Sequence, residues 1–216
     1  MIALIDYGAG NMRSVHKALA TVGAEVRLAC DPGPIPDAEK VVLPGVGAFG
    51  DCMAGLRRAG LVDALCQAVE QGKPLLGICV GMQVLFEEGE EMGPHAGLGL
   101  MQGRVIRFSF SPALAPCGRE RSGKGFPLKI PHTGWNQIEP VGESPLLHGL
   151  PPGAWTYFNH AYYCQARPEH VLAVTDYGGP FPSIVSRGPI YGIQFHPEKS
   201  QEVGLHILRN FVERVE

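Results

Sequence analysis

The chain has 216 residues, enough for one sizeable hydrophobic core and somewhat short for two, so we expect a single domain over 1–216. Its 18 Lys and Arg nearly balance 21 Asp and Glu, and no segment concentrates positive charge, which argues against a nucleic-acid partner. The first apolar run meets Asp6 too early for a signal peptide, and no run reaches spanning length. We therefore expect a cytoplasmic protein without membrane association.

The first ninety or so residues alternate short apolar strands with helices. Strands are predicted at 2–5, 25–29, 40–43 and 75–78, and helices at 12–22, closed by Gly23, and at 56–69. This alternation predicts an α/β fold, with an open, mostly parallel, twisted sheet that carries helices on both faces.

Beyond Gly97 the segments become alternating, aromatic and interrupted by prolines. They predict strands at 104–110, 155–164, 171–174, 184–186 and 190–195, some of them antiparallel. A closing amphipathic helix is marked by Val203, Ile207 and Phe211. The stretch 111–129 is rich in proline, glycine and charge, which predicts an exposed loop.

Cys79 follows the apolar strand at 75–78, with Gly77 and Gly81 two residues to either side. This is the pattern of a nucleophile elbow in which sulfur replaces the serine oxygen. A tight turn from strand to helix requires small flanking residues, and glycine removes the Cβ that would clash. The positive end of the following helix is expected to favour thiolate over thiol.

His196 and Glu198 supply a base and the carboxylate that orients it. Pro197 disfavours a helical conformation for His196, so the segment is expected to be extended, with residues i and i+2 on the same side. Glu198 can then bond one imidazole nitrogen and leave the other for Cys79. Together, the three residues predict nucleophilic catalysis by cysteine.

Other interpretations of these residues are simpler. A lone cysteine is more often a buried structural residue than a nucleophile. The other five cysteines, at positions 30, 52, 66, 117 and 164, are expected to be reduced and to serve as small hydrophobic residues or surface thiols. His196 with Glu198 could bind a metal, but no further ligand pair stands at metal spacing, so no metal is expected. Gly8 and Gly10 begin a dinucleotide fingerprint whose third glycine position is Arg13, so no cofactor is predicted.

Several motifs in one order resemble the class I (triad) glutamine amidotransferases, and within them the glutaminase subunits of imidazole glycerol phosphate synthase. The resemblance covers nearly the whole chain and rests on DYGAGN at 6–11, LPGVGAF at 43–49, GMQ at 81–83, PHTGWN at 131–136 and QFHPEKS at 194–200. This chain has Gly45-Val46 where the subunits of other pathways usually have Gly-Gly, and Met82 where they often have His. Both differences favour a subunit of the histidine pathway.

The resemblance implies a flavodoxin-like fold and a Cys79, His196 and Glu198 triad that hydrolyses L-glutamine through a thioester. It also implies an oxyanion hole from backbone groups and pockets for the amino-acid end of glutamine. The oxyanion hole would be formed by Val80, Val46 and Gly47, and glutamine would be bound by Gln83, Glu91, Ala161 and Tyr162.

The same resemblance implies a partner, a (β/α)8-barrel cyclase subunit in a heterodimer. The cyclase would use the ammonia to make imidazole glycerol phosphate and AICAR in L-histidine biosynthesis. The docking surface and ammonia gate would include Trp135, Tyr157 and His160. Three alternatives stay open: an amidotransferase subunit of another pathway, a cysteine peptidase or esterase on the same elbow, and a non-catalytic binding subunit.

Overall fold

The computed structural model describes residues 1–110 and 128–216, which form two sheets and five α-helices. The predicted loop at 111–129 falls mainly on 111–127, which lie outside the described residues. The helices are α1 (Met12–Thr21), α2 (Phe49–Arg58), α3 (Leu61–Glu70), α4 (Val80–Gln83) and α5 (Gln201–Arg214). The strands are β1 (Ile2–Ile5), β2 (Val26–Ala29), β3 (Lys40–Gly45), β4 (Leu75–Cys79), β5 (Phe86–Gly89), β6 (His95–Ala96), β7 (Met101–Arg107), β8 (His132–Pro140), β9 (Ala154–His160), β10 (Tyr162–Ala166), β11 (Val171–Asp176), β12 (Pro180–Arg187) and β13 (Ile190–Ile193).

The larger sheet has nine strands in the order β2-β1-β3-β4-β13-β12-β11-β8-β9. Its first five strands are parallel to one another, and β1, β4 and β13 are buried along their whole length. The chain moves from β1 to β2 through α1, and in the opposite direction from β3 to β4 through α2 and α3. Right-handed crossovers therefore place helices on both faces, and the predicted open α/β sheet is confirmed.

The antiparallel strands predicted for the C-terminal half are also present. Strands β12, β11, β8 and β9 extend the main sheet in antiparallel order, and β9 forms its edge. A second sheet has the order β10-β7-β5-β6. The main sheet is thus parallel from β2 to β13 and antiparallel from β12 to β9.

Three features of the fold differ from the prediction. The helix predicted at 56–69 is two helices, because Gly60 adopts a φ of +68° between α2 and α3 and ends the first of them. The strand predicted at 155–164 divides at Ala161 into β9 and β10, which belong to different sheets. Strands β5, β6 and β8 were not predicted, and β8 has only two buried residues, His132 and Ile138, so its apolar periodicity is weak.

The order of the parallel strands brings three chain segments to one edge of the sheet. Gly45 at the end of β3 is in register with Cys79 at the end of β4, and Ile193 at the end of β13 is in register with Ile78. Ligand sites in open α/β sheets lie beyond the carboxyl ends of the strands. The nucleophile candidate and the segment that carries His196 therefore emerge side by side.

Candidate active site

The turn at Cys79 is as tight as the glycine pattern predicts. Cys79 has φ +55° and ψ −114°, a conformation that residues with a side chain rarely adopt and that concentrates at functional sites. A Cβ on Gly77 would lie 2.6 Å from the Gly81 carbonyl oxygen, and a Cβ on Gly81 would overlap the Leu43 carbonyl oxygen. The following helix, α4, is a single turn of four residues. The expected stabilisation of a thiolate by a helix dipole is therefore small.

His196 and Glu198 meet as expected, although by a different backbone geometry. The Nδ1 of His196 lies 3.0 Å from Oε1 of Glu198, and the two side chains are 5% and 1% exposed. His196 is extended, with φ −97° and ψ 98°, but Pro197–Lys199 form a 3-10 turn, so the predicted extended segment is wrong beyond His196. The turn, and not strand alternation, places the carboxylate beside the ring.

The His196 segment is held against the edge strand β9 by two hydrogen bonds, and a third bond within the segment supports them. The His196 N–H donates to the Tyr157 carbonyl oxygen at 2.8 Å. The Ser200 hydroxyl donates to the His196 carbonyl oxygen at 2.6 Å and accepts from the Tyr157 N–H at 2.9 Å. Ser200 is buried. Because this anchor fixes the backbone on both sides of the imidazole, the ring is pre-positioned over the elbow.

The electrostatic environment of His196 favours its protonated form. Burial alone would lower the pKa of His196, but hydrogen bonds to Cys79 and Glu198 and the negative charge of both partners outweigh burial. Together they raise the pKa of His196 to about 10. His196 therefore carries a proton at neutral pH.

A pocket of about 240 Å³ opens above Cys79. It is smaller than the roughly 300–1,000 Å³ typical of sites for drug-sized ligands, so it suits a small metabolite. Val80 is the first residue of α4, so the helix does not use its N–H. The lining brings together Cys79, His196 and every residue predicted for the oxyanion and for glutamine, namely Val46, Gly47, Val80, Gln83, Glu91, Ala161 and Tyr162, along with Pro131, Asn159, His160 and Lys199.

Gln83 and Glu91 are more constrained than the polar face of a helix would be. Gln83 is 3% exposed, and its Nε2 donates to the Tyr162 carbonyl oxygen at 3.0 Å and to Gln194 Oε1 at 3.1 Å. Its contact with a ligand is therefore left to Oε1, a hydrogen-bond acceptor. Glu91 accepts from the Phe49 N–H at the start of α2, at 2.8 Å, while it lines the pocket. Both side chains present oxygen, which suits an α-ammonium group.

His160, expected at the partner surface, is buried and bonded to a second buried histidine. Its Nδ1 lies 2.8 Å from the Tyr162 carbonyl oxygen and its Nε2 3.1 Å from Nδ1 of His132, whose Nε2 lies 3.3 Å from Asn136 Nδ2. Burial lowers the pKa of His132 to about 4 and that of His160 to about 3. Both rings are neutral at pH 7 and brace the pocket wall at Tyr162. Sequence reasoning did not single out His132.

An exposed aromatic face lies beside the pocket on β8 and β9. Trp135 is 43% exposed and its ring contacts that of the half-buried Tyr157 edge to face, with centroids 6.1 Å apart. Trp155, which sequence reasoning missed, is 52% exposed. Lys199 places Nζ 5.6 Å from the Tyr157 ring centroid. Large exposed aromatic groups on an edge hairpin are typical of a protein-docking surface.

Among the described cysteines, Cys79 has surroundings that differ from all others. Cys52 and Cys164 are buried away from the pocket, and burial raises the pKa of the Cys52 thiol to about 12 and that of Cys164 well above its usual value. Cys30 is exposed on the surface. Cys79 is the cysteine that lines the pocket within the described residues, and it faces both His196 and Gln194.

Residues 1–110 and 128–216 contain neither a metal-binding cluster nor a membrane-spanning helix. These residues hold no cluster of three or more His, Cys, Asp or Glu side chains arranged to bind a metal ion. No helix in the same residues combines the length and the apolar character that crossing a membrane requires.

Comparison with protein families identifies the class of protein to which this fold and site correspond. The model of the family described as "Glutamine amidotransferase class-I" matches residues 3–215. The chain therefore belongs to the class I glutamine amidotransferase family.

Within this family, the chain is similar over nearly its whole length to proteins that carry one subunit name. The chain is 48% identical over 211 residues to "Imidazole glycerol phosphate synthase subunit HisH" of Symbiobacterium thermophilum, with 97% of this chain and 92% of that protein covered. It is 48% identical over 212 residues to the protein of the same name from Syntrophotalea carbinolica, with 98% of each covered. The HisH of Wolinella succinogenes is 44% identical over 214 residues, with 99% of each chain covered.

Solved structures share the fold at lower sequence identity. A structure described as "Crystal structure of glutamine amidotransferase" matches with a TM-score of 0.70 and 22% identity, over 99% of this chain and 98% of that one. "Structure of PurLQS from Thermotoga maritima" matches with a TM-score of 0.74 and 18% identity, over 100% and 98% of the two chains. These similarities concern the fold alone.

Proposed function

We propose that this protein is the glutaminase subunit of imidazole glycerol phosphate synthase, a cytoplasmic enzyme of L-histidine biosynthesis that hydrolyses L-glutamine and passes ammonia to a cyclase subunit. The observation that carries the chemistry is the meeting of Cys79, His196 and Glu198 over one small pocket. The relatives that share 44–48% of their residues over nearly the whole chain are all named as this subunit.

The first half-reaction forms a thioester. The Cys79 thiolate attacks the side-chain amide carbon of glutamine, and the carbonyl oxygen becomes an oxyanion. Backbone N–H groups of Val80 and of the Val46–Gly47 segment stabilise that oxyanion. Protonated His196 gives its proton to the departing nitrogen, the C–N bond breaks, and ammonia leaves. The raised pKa of His196 supports this role, because the ring holds a proton when the amine needs one.

The second half-reaction releases glutamate. Neutral His196 takes a proton from water, the resulting hydroxide attacks the thioester carbon, and the thiolate leaves. Glu198 holds Nδ1 of His196 throughout, so the other ring nitrogen faces the reacting atoms. Gln83, Glu91 and the Ala161–Tyr162 backbone hold the amino-acid end of glutamine.

The partner in this proposal is the (β/α)8-barrel cyclase subunit, in a heterodimer. The aromatic face of Trp135, Trp155 and Tyr157 is the proposed docking surface, because its two tryptophans are exposed and Tyr157 contacts the pocket residues Lys199 and His196. His160 is not part of that surface, since its side chain is 6% exposed. Docking over the pocket keeps ammonia out of bulk water, where it would be protonated and lost.

The test uses the purified chain with and without the cyclase, and measures glutamate and imidazole glycerol phosphate separately. Cys79→Ala should abolish both products from glutamine, while the complex still makes imidazole glycerol phosphate from added ammonia. Trp135→Ala should lower imidazole glycerol phosphate more than glutamate. Its control is Val141→Ala, an exposed apolar residue just beyond β8.

Three results would contradict the proposal. Glutamate formation by Cys79→Ala would exclude the triad. Failure to form a complex with the cyclase would exclude this pathway and favour an amidotransferase subunit of another one. Hydrolysis of esters or peptides in preference to glutamine would favour a cysteine peptidase or esterase. The small volume of the pocket argues against that hypothesis.

A further inference from the structure

Gln194 lies directly beneath the nucleophile and has no part in the chemistry described above. It follows β13, is completely buried, and does not line the pocket. Its Nε2 lies 3.8 Å from the Cys79 sulfur, within the longer range that hydrogen bonds to sulfur occupy. The sulfur therefore has His196 on the pocket side and the Gln194 amide on the interior side, with the Asn159 carbonyl oxygen 4.0 Å away.

The direction of the Gln194 amide follows from its neighbours. A backbone carbonyl can only accept a hydrogen bond, so the Gln83 atom 3.0 Å from the Tyr162 carbonyl oxygen is the donor Nε2. The same Nε2 lies 3.1 Å from Gln194, which must meet it with Oε1. Gln194 is left with its NH₂ group toward the Cys79 sulfur. The opposite amide orientation would set the NH₂ groups of Gln83 and Gln194 against each other and, with Cys79 ionised, would set Oε1 of Gln194 against the thiolate.

A donor at this position matters because the sulfur is buried. Cys79 is 3% exposed, so a thiolate there has little water to stabilise it. An N–H bond to a charged acceptor is considerably stronger than one to a neutral acceptor. The Gln194 amide therefore stabilises the thiolate much more than the thiol, and the effect adds to that of protonated His196.

We propose that Gln194 is a catalytic residue whose Nε2–H donates to the Cys79 thiolate, and that Gln83 orients the Gln194 amide for this purpose. The inference rests on the proposed role of Cys79 as nucleophile. It assigns Gln83 a second task beside glutamine binding, through the amide nitrogen that the ligand does not use. Gln194 acts on the sulfur from the side opposite the substrate.

The test measures alkylation of Cys79 by iodoacetamide across pH, with the Cys79 peptide quantified by mass spectrometry. Gln194→Met keeps the side-chain length and removes the donor. We expect the midpoint of the Cys79 alkylation profile to rise by about one pH unit, the equivalent of one lost charge-assisted hydrogen bond. Gln194→Glu should raise it further, because a carboxylate repels the thiolate.

The controls are within the same chain. Exposed Cys30 in each sample should keep its alkylation profile, and Gln67→Met, on the exposed side of α3, should leave that of Cys79 unchanged. In glutaminase assays with the cyclase present, Gln194→Met should lower kcat about tenfold and leave KM within about twofold, because Gln194 does not line the pocket. A purely structural role predicts no change in the alkylation midpoint.

A measurement on the unmodified chain covers the case in which the variants do not fold. The side-chain amide protons of Gln194 in a ¹H–¹⁵N spectrum should shift with the same midpoint as Cys79 alkylation. The inference would be overturned if the chemical shifts of these amide protons did not change with pH around that midpoint. It would also be overturned if folded Gln194→Met had the same Cys79 alkylation midpoint as the unmodified chain. The result is separable from the wider proposal: glutaminase activity in Cys79→Ala refutes the nucleophile, whereas an unmoved midpoint with inactive Cys79→Ala refutes only the role of Gln194.

Discussion

Gly77 allows the tightness of the nucleophile turn to be tested with a single methyl group. A Cβ there would lie 2.6 Å from the Gly81 carbonyl oxygen and 2.8 Å from the Met82 Cα, both of which are backbone atoms that cannot rotate away. Ordinary contact begins at 3.4 Å, so moving from 2.6 Å to that distance requires the turn to open by about 0.8 Å. Gly77 has no positive φ, and the effect is therefore steric.

We expect Gly77→Ala to lower the free energy of unfolding by about 2 kcal/mol, the usual cost of overpacking a dense core. For a chain of this length, that corresponds to a fall in Tm of about 4–8 °C. The displaced turn carries Cys79 and Val80, so kcat should fall roughly tenfold, since a misplacement of about 1 Å can cost about 100-fold. The assays are thermal unfolding followed by circular dichroism and steady-state glutaminase kinetics.

Gly142→Ala is the matched control. A Cβ at that position meets nothing closer than 3.4 Å, the distance to Leu172 Cδ2, and the backbone needs no positive φ. It should change Tm by no more than about 3 °C, the scale of an unstrained Gly→Ala replacement, and leave kcat unaltered. A Gly77→Ala protein with the Tm and kcat of the unmodified chain would refute the predicted clash, because the turn would then accommodate a Cβ at position 77 without moving.

Two further predictions concern the histidines. Glu198→Gln removes the charge that favours protonated His196, so kcat should fall at least about 100-fold at nearly constant KM, and a loss below threefold would contradict this role. Burial lowers the pKa of His132 to about 4 and of His160 to about 3. Between these values and the pKa of about 6.5 in the unfolded chain, the unfolded chain binds more protons than the folded one, so the free energy of unfolding falls as the pH drops. Between pH 7 and pH 5, the free energy of unfolding measured in urea should fall by about 1–2 kcal/mol less for His132→Phe than for the unmodified chain. The control, His16→Gln at an exposed position, should lose about as much as the unmodified chain. Equal losses in His132→Phe and the unmodified chain would contradict burial of a neutral ring.

The parts of the site that could be predicted from sequence are those with local causes. The spacing of Gly77 and Gly81 around Cys79 indicates a tight turn because a Cβ at either position meets backbone within a few residues or on the next strand. His196 and Glu198 are two positions apart, so nearly any turn lets one bond the other. The 3-10 turn that joins them was not foreseen, and it forms the hydrogen bond that an extended segment was expected to form.

Other parts depend on which strands become neighbours. Gln194 and Cys79 are separated by 115 positions and His132 and His160 by 28, and neither pair has a local signature. The division of 155–164 at Ala161 is of the same kind, since β9 and β10 pair with different partners and nothing in an aromatic run marks where the chain changes sheets. Trp155 was missed because an exposed aromatic residue and a buried one are alike in sequence.

The sequence by itself determined the alternation of strands and helices, the sharp turn at Cys79 and the pairing of His196 with Glu198. These follow from steric limits and hydrogen bonding among residues close along the chain. Only the tertiary structure decided that β13 lies beside β4, and with it the approach of His196 and Gln194 to the sulfur from two sides. That decision comes from the burial of strands on both faces of a sheet, a property of the whole core that no short segment contains.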